Sequence, residues 1–277
     1  MKLQRMFLVP AVIIFIAASA VAISAQTAPS GKSYEDMSRA ERHAFVSEQA
    51  RRIAKEISGN EYQFTPAFEL DILRAVSRYA LRDDSEVNAA KAKHNLRSTA
   101  ARGQANAPKL ISAFRARNVS PLIGLYLPWV ESAYVNISSP NTAGAVGMFQ
   151  FLPKTGARYG LSAEDLLDVD KSADAAARYI LDSLETFKDD PMKEALALLA
   201  YNRGGQKTAR DLTVLINDQN KRCSICALTA NRSKLDETFQ SENVFYVPLF
   251  FAAAIIGENP QVFGLPMQPL SSYETSR

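Results

Sequence analysis

Apolar positions along this chain fall into two regimes. Residues 6–25 carry no charge and follow Lys2 and Arg5, and small residues (Ala18, Ser19, Ala20, Ala22, Ser24, Ala25) gather at the end of the run. That order of a basic start, an apolar stretch and a small-residue exit is the layout of a secretory leader cut after Ala25. A run of about 20 apolar residues is also long enough for an uncleaved membrane anchor, and either reading implies export. Beyond the leader the period becomes helical. Val46, Ala50, Ile53 and Ile57 form one stripe at three- and four-residue spacing, and Phe68, Ile72, Ala75 and Tyr79 form another. Ser38 with Glu41 predicts a capping box, and Thr65 before Pro66 predicts an N-cap with proline in the first turn.

The pattern then softens. Residues 84–108 are small, charged and alanine-rich, and they read either as a weak helix or as a connection, with a domain boundary near Ala107. Ser120 and Pro121 start an apolar helix that runs to Glu131. A further stripe (Ala175, Ala176, Tyr179, Ile180, Leu184) is capped by Asp170 or Ser172, and a helix from Pro191 through Tyr201 stops at Gly204 and Gly205. Residues 247–256 are apolar on every side and too short to cross a bilayer, which predicts a buried central helix. No strand-like alternation of useful length and no repeat interrupts this pattern. The fold class is mostly α.

Composition narrows the chemistry. The chain has 277 residues, enough to bury a sizeable core, and 47% of them are hydrophobic. Without Lys2 and Arg5, 30 basic residues face 29 acidic ones, so net charge makes no case for nucleic acid as a partner. Two His and two Cys starve any His- or Cys-rich metal centre of ligands, and no cofactor is expected. His43 and His94 sit in charged segments and read as solvent-facing helix residues.

Two blocks carry candidate chemistry. Leu-Pro-Trp-Val-Glu-Ser at 127–132 sets Glu131 at the end of an apolar helix beside the single Trp. Apolar walls raise a carboxyl pKa, so such a group keeps a proton near neutral pH and can donate it to a leaving oxygen, although a glutamate at a helix end can equally be solvated. Residues 138–151 then pack small and turn-forming residues against Met148, Phe149, Gln150 and Phe151. Glycines allow close backbone approach, an amide reads sugar hydroxyl or acetamido groups, and apolar side chains pack on a pyranose face. A turn feeding a buried helix would have the same composition.

Four blocks in order, 127–132, 143–156, Asp168 with Ser172 and Ala175-Ala176, and 200–204, resemble the catalytic domain of the soluble lytic transglycosylases, peptidoglycan-cleaving enzymes of lysozyme-like fold. Tyr246-Val247-Pro248, then 253–258 and Phe263-Gly264, resemble the closing segment of the subgroup that includes membrane-bound lytic murein transglycosylase D. The resemblance covers about 115–266. It implies a lysozyme-like catalytic domain over 107–266, to which the residue patterns add a leader over 1–25, an N-terminal helical segment over 26–106 that resembles no known family, and a tail over 267–277. Position by position it makes Glu131 the acid/base and assigns substrate contacts to Ser132, Ser139, Gly147, Met148, Phe149, Gln150, Tyr201, Asn202 and Tyr246. Met148-Phe149 stands where Leu-Met or a residue followed by Trp is more usual, and Arg203 stands where a smaller residue is common. Both departures bear on substrate preference.

The reaction so implied is non-hydrolytic cleavage of the β-1,4 bond between N-acetylmuramic acid and N-acetylglucosamine in the periplasm, leaving a 1,6-anhydro end. A two-carboxylate glycosidase needs a second acid, and the next one along the chain after Glu131 is Glu164. Asp168 and Asp170 read as helix caps or hydrogen-bonding anchors, with a second acid as the lesser alternative. The rivals are a lysozyme-like muramidase and a non-catalytic peptidoglycan-binding protein. Peptidoglycan is the expected partner, and the N-terminal helices could brace the domain, occlude its groove or dock an envelope protein. Cys223 and Cys226 lack the strand-helix context of a redox motif and read as a local disulfide in an insertion between Asn202 and Tyr246.

Overall fold

The computed structural model describes residues 31–80, 95–217 and 219–273, so the leader and His94 lie outside the described residues. Helix α1 (Arg39–Ser58) begins with the capping box, in which the Ser38 side chain accepts from the Glu41 amide and the Glu41 carboxylate from the Ser38 amide. Its predicted stripe is buried along its whole length. Thr65 accepts from the amide of Phe68 and so caps α2 (Pro66–Ala80), whose Phe68, Ile72 and Ala75 are also buried.

After residue 94 comes α3 (Leu96–Ala116), capped by Asn95. Ala107, placed near a boundary by composition, is fully buried in the middle of this helix, and Pro108 follows without ending it. The chain therefore has no break there. Of the two readings of the alanine-rich stretch, the weak helix holds over 96–108; alanines on a helix face leave few apolar landmarks to tell it from a connection.

Helix α4 (Pro121–Ser132) carries Glu131, and α5 (Pro153–Arg158) follows the glycine-rich loop. The carboxylate of Asp168 accepts from the amides of Asp170 and Lys171 and caps α6 (Val169–Thr186), the capping role read for it in the sequence, while Asp170 and Ser172 lie inside the helix. Gly204 separates α7 (Lys193–Arg203) from α8 (Gly205–Leu215), a helix that the sequence pattern missed. Two short helices, α9 (Ser224–Ala230) and α10 (Glu237–Ser241), lead into α11 (Tyr246–Glu258). Among the described residues the only β-pairing is two isolated bridges, Ile137 with Gly147 and Val146 with Phe151. No helix among them is long and apolar enough to cross a membrane.

Helix α11 is the hub. From Phe250 to Ile256 every residue is completely buried, and the helix packs against α1, α2, α4 and α7. An aromatic seam fastens the N-terminal helices to it: the Phe64 ring meets Phe68 at 5.3 Å and Phe251 at 5.2 Å. Each such ring removed from water contributes about 1.5–3 kcal/mol. Polar ties follow the same path. The Tyr62 hydroxyl donates to the buried Glu194 of α7 at 2.8 Å, and the Tyr34 amide donates to the Val262 carbonyl at 2.8 Å. At the far end the carboxylate of Glu258 accepts from the hydroxyls of Tyr126 and Ser271, which straps residues 270–272 onto α11 and α4. The N-terminal helices and the helices after 107 share one continuous core.

Cys223 and Cys226 are joined in a disulfide, and both are buried at the start of α9. The bridge spans a sequence separation of 3, so it closes a very short loop. Loop-closure entropy for so short a loop is only about 2 kcal/mol. A Cys223→Ser/Cys226→Ser variant is expected to lose about that much stability in urea titration and to keep full activity, because neither cysteine lines the cavity that Glu131 lines. A variant that fails to fold, or loses turnover while folded, would contradict this.

Candidate active site

Glu131 is placed by an apolar helix that ends abruptly. Pro128 lies inside α4, and the helix closes when Ala133 and Tyr134 adopt left-handed backbone, with φ of 52° and 59°. Two clamps hold this unusual exit. Arg102 of α3 donates to the Ala133 carbonyl at 2.7 Å, and the Tyr134 hydroxyl donates back to the Leu125 carbonyl at 2.5 Å. The carboxyl one residue before the helix end is thus fixed at the wall of a cavity of about 180 Å³. Tyr79, Trp129, Val130, Ile137 and Leu249 supply most of its apolar lining.

The glycine-rich block packs against the end of the same helix through Ser132 and does not itself line the cavity. Gly147 has φ of 80°, and a Cβ there would stand 2.3 Å from the Leu166 carbonyl oxygen, so backbone packs directly on backbone. The tight turn is pinned on both sides. Ser132 donates to the Met148 carbonyl at 2.7 Å, and Tyr201 donates to the Phe149 carbonyl at 2.9 Å. The Gln150 amide nitrogen donates to the Gly147 carbonyl at 2.8 Å, with Gln150 itself at φ of 50°.

These contacts redistribute the expected roles. Met148 and Phe149 were expected against a sugar, yet they are 2% and 1% exposed, and Phe149 stacks on Phe114. Their side chains are core, and their carbonyls serve as the acceptors just named. Ser132 lines the cavity, but its hydroxyl is committed to the loop. Ser139 and Asn202 are exposed, and Asn202 accepts from Asn243 at 2.6 Å. Arg203, expected to bear on substrate preference, is buried in an ion cluster with Asp211 and Asp236 and does not line the cavity.

The partner that matters for the acid is Tyr246. It is the first residue of α11, 115 positions along the chain from Glu131, and its hydroxyl donates to Glu131 Oε1. Burial pushes the Glu131 carboxyl up to about 7, and the Tyr246 hydrogen bond, which favours the carboxylate, offsets part of that rise. Burial, followed by the negative charge on Glu131, raises both the Tyr246 and the Tyr201 phenols well above their ordinary value, so both remain neutral donors. Apart from Glu131, no carboxylate among the described residues lines the cavity. Among the described residues no group of three or more His, Cys, Asp or Glu could hold a metal ion.

Sequence reasoning did not assign Arg78, Tyr79, Thr99 or Leu249 to the site, yet all four line the cavity. Tyr79 was visible only as the last member of a core stripe. Its ring does pack edge-on to Trp129 at 6.2 Å, but its position past the end of the buried run brings it to the cavity wall.

No curated protein matches this chain. Residues 109–219 match the family described as Transglycosylase SLT domain, a stretch that includes Glu131, the 147–150 turn, Tyr201 and Asn202 and ends before Tyr246. Over those residues the chain is similar to that domain family, whose fold is lysozyme-like.

Proposed function

We propose that the protein is a peptidoglycan lytic transglycosylase in which Glu131 acts first as acid and then as base. The reading rests on one observation: a carboxyl raised to about 7 lines a largely apolar cavity, and no second carboxylate among the described residues lines it. Neutral Glu131 donates its proton to the β-1,4 glycosidic oxygen, and the C–O bond on the muramyl side breaks. The acetamido oxygen of the same sugar stabilises the cationic carbon. The carboxylate then takes the proton of the 6-hydroxyl, whose oxygen closes onto that carbon. One C–O bond is broken and one formed, Glu131 regains its proton, and no water is consumed. An internal hydroxyl has the advantage of proximity, and apolar walls disfavour competing water.

Tyr246 fits this cycle as a donor that steadies the carboxylate between the two proton transfers. Tyr246-Val247-Pro248 at the head of α11 also favours the subgroup that includes membrane-bound lytic murein transglycosylase D. We place the reaction in the periplasm, where the substrate lies and where an oxidising environment suits the Cys223–Cys226 bridge. The helices before residue 107 act in this reading as a brace built onto the catalytic core.

The test is the mass of the products. Purified protein incubated with sacculi is expected to release muropeptides one water lighter than hydrolysis products. Reducing ends would instead make the protein a muramidase, and binding to sacculi without release would make it a non-catalytic binder.

A further inference from the structure

The cavity beside Glu131 has a wall from outside the matched domain. Arg78 and Tyr79, at the last turn of α2, line it together with Glu131 and Trp129. Tyr79 fixes this corner through its ring contact with Trp129. Arg78 itself is exposed, and no acid among the described residues pairs with it. The charge balance of the cavity is therefore simple. Among the described residues its basic and acidic lining groups are Arg78 and Glu131, and below neutral pH the carboxyl of Glu131 holds its proton. What remains among the described residues is one guanidinium, exposed and without an acidic partner, on the wall of a partly apolar cavity, where it can meet an anion.

We propose that Arg78 is a specificity-determining residue that pairs with a carboxylate carried on the 3-position substituent of the muramyl sugar. The inference rests on the lytic transglycosylase reading for the identity of the glycan. N-acetylglucosamine bears no such group. Muramic acid bears a lactyl carboxyl, free when the peptide is absent, and the attached peptide carries carboxylates of its own. A planar guanidinium can engage either with two parallel hydrogen bonds. Helix α2 would in this way contribute to choosing the sugar that is protonated at Glu131, giving the N-terminal helices a part in recognition as well as in bracing.

The test measures binding and turnover on the same set of glycans: peptide-bearing strands, strands stripped of peptide by an amidase, and a neutral N-acetylglucosamine tetramer. In the Glu131→Gln background, Arg78→Gln is expected to weaken binding of a carboxylate-bearing glycan about tenfold and leave the neutral tetramer unchanged, with Arg78→Lys recovering part of the loss. In the otherwise wild-type enzyme, Arg78→Gln should raise KM by a similar factor with kcat within about twofold. Loss confined to stripped strands assigns the lactyl carboxylate, and loss confined to peptide-bearing strands assigns the peptide. Equal weakening for the neutral tetramer, or no weakening at all, overturns the inference. The reading beneath it fails separately, through wild-type products that carry reducing ends.

Discussion

Glu131→Gln is expected to abolish strand cleavage, lowering kcat by about 10,000-fold while glycan binding stays within a fewfold of wild type. A positioned general acid or base contributes roughly 100- to 10,000-fold, and in the proposed cycle both proton transfers pass through one carboxyl, so the upper end applies. Glutamine keeps the shape and can still accept from the Tyr246 hydroxyl, so the loss reports the proton and not the packing. Activity of the wild-type enzyme should fall as pH rises through about 7, where the carboxyl loses its proton. Stability carries the same signature. A glutamate titrates near 4.5 when exposed but at about 7 in the native protein, so between these values the folded state binds more protons than the unfolded state. Stability is therefore full below the lower value and is lost as pH climbs through the higher one, by up to about 3 kcal/mol. The Gln variant has no such proton to lose. It should melt above wild type at pH 8, with the gap closing by pH 4. Retained turnover, or a melting difference that ignores pH, would remove Glu131 from its assigned role.

The same site shows what the linear chain could and could not convey. Helix stripes were legible because burial on one face imposes a period, and Val46, Ile53 and Ile72 all fell inside as that period required. Residues 247–256 announced a buried helix because no face was polar, and α11 is the hub of the core. Alanine hid α3, since a small apolar side chain suits a buried face and a connection equally well. Glycine and proline signals located the 147–150 turn but not the direction of its side chains. A left-handed residue every few positions breaks any period, so Met148 and Phe149 could not be told from residues facing the cleft. The tyrosine at 246 was found through resemblance to a family, and the Arg78 and Tyr79 wall was missed because it comes from a helix pattern that looked wholly structural.

Arg203 is the position where a sequence departure turns into architecture, and its removal is expected to cost about 3–5 kcal/mol of folding stability. Its side chain is 1% exposed and donates to Asp211 at 2.5 Å, to Asp236 through both terminal nitrogens at 3.0 and 2.9 Å, and to Asn243 at 2.9 Å. The Phe239 ring lies 5.1 Å from the guanidinium carbon. One side chain at the end of α7 therefore gathers α8, α10 and the turn that leads into α11. Asn243 passes the restraint on, since it donates to Asn202 and stands three residues before Tyr246. The two acids do not carry equal risk. Asp236 is 41% exposed and can turn to water if Arg203 is lost, whereas Asp211 is 5% exposed and would be left as a buried, unpaired charge. Arg203→Met should thus be far more damaging than Asp236→Asn, which should cost roughly 1 kcal/mol. Adding Asp211→Leu to Arg203→Met should restore part of the loss by removing the stranded charge. Urea denaturation of the three variants decides it: if Arg203→Met costs no more than Asp236→Asn, or if the double variant is worse than the single, the cluster does not hold the approach to Tyr246 in the way its geometry indicates.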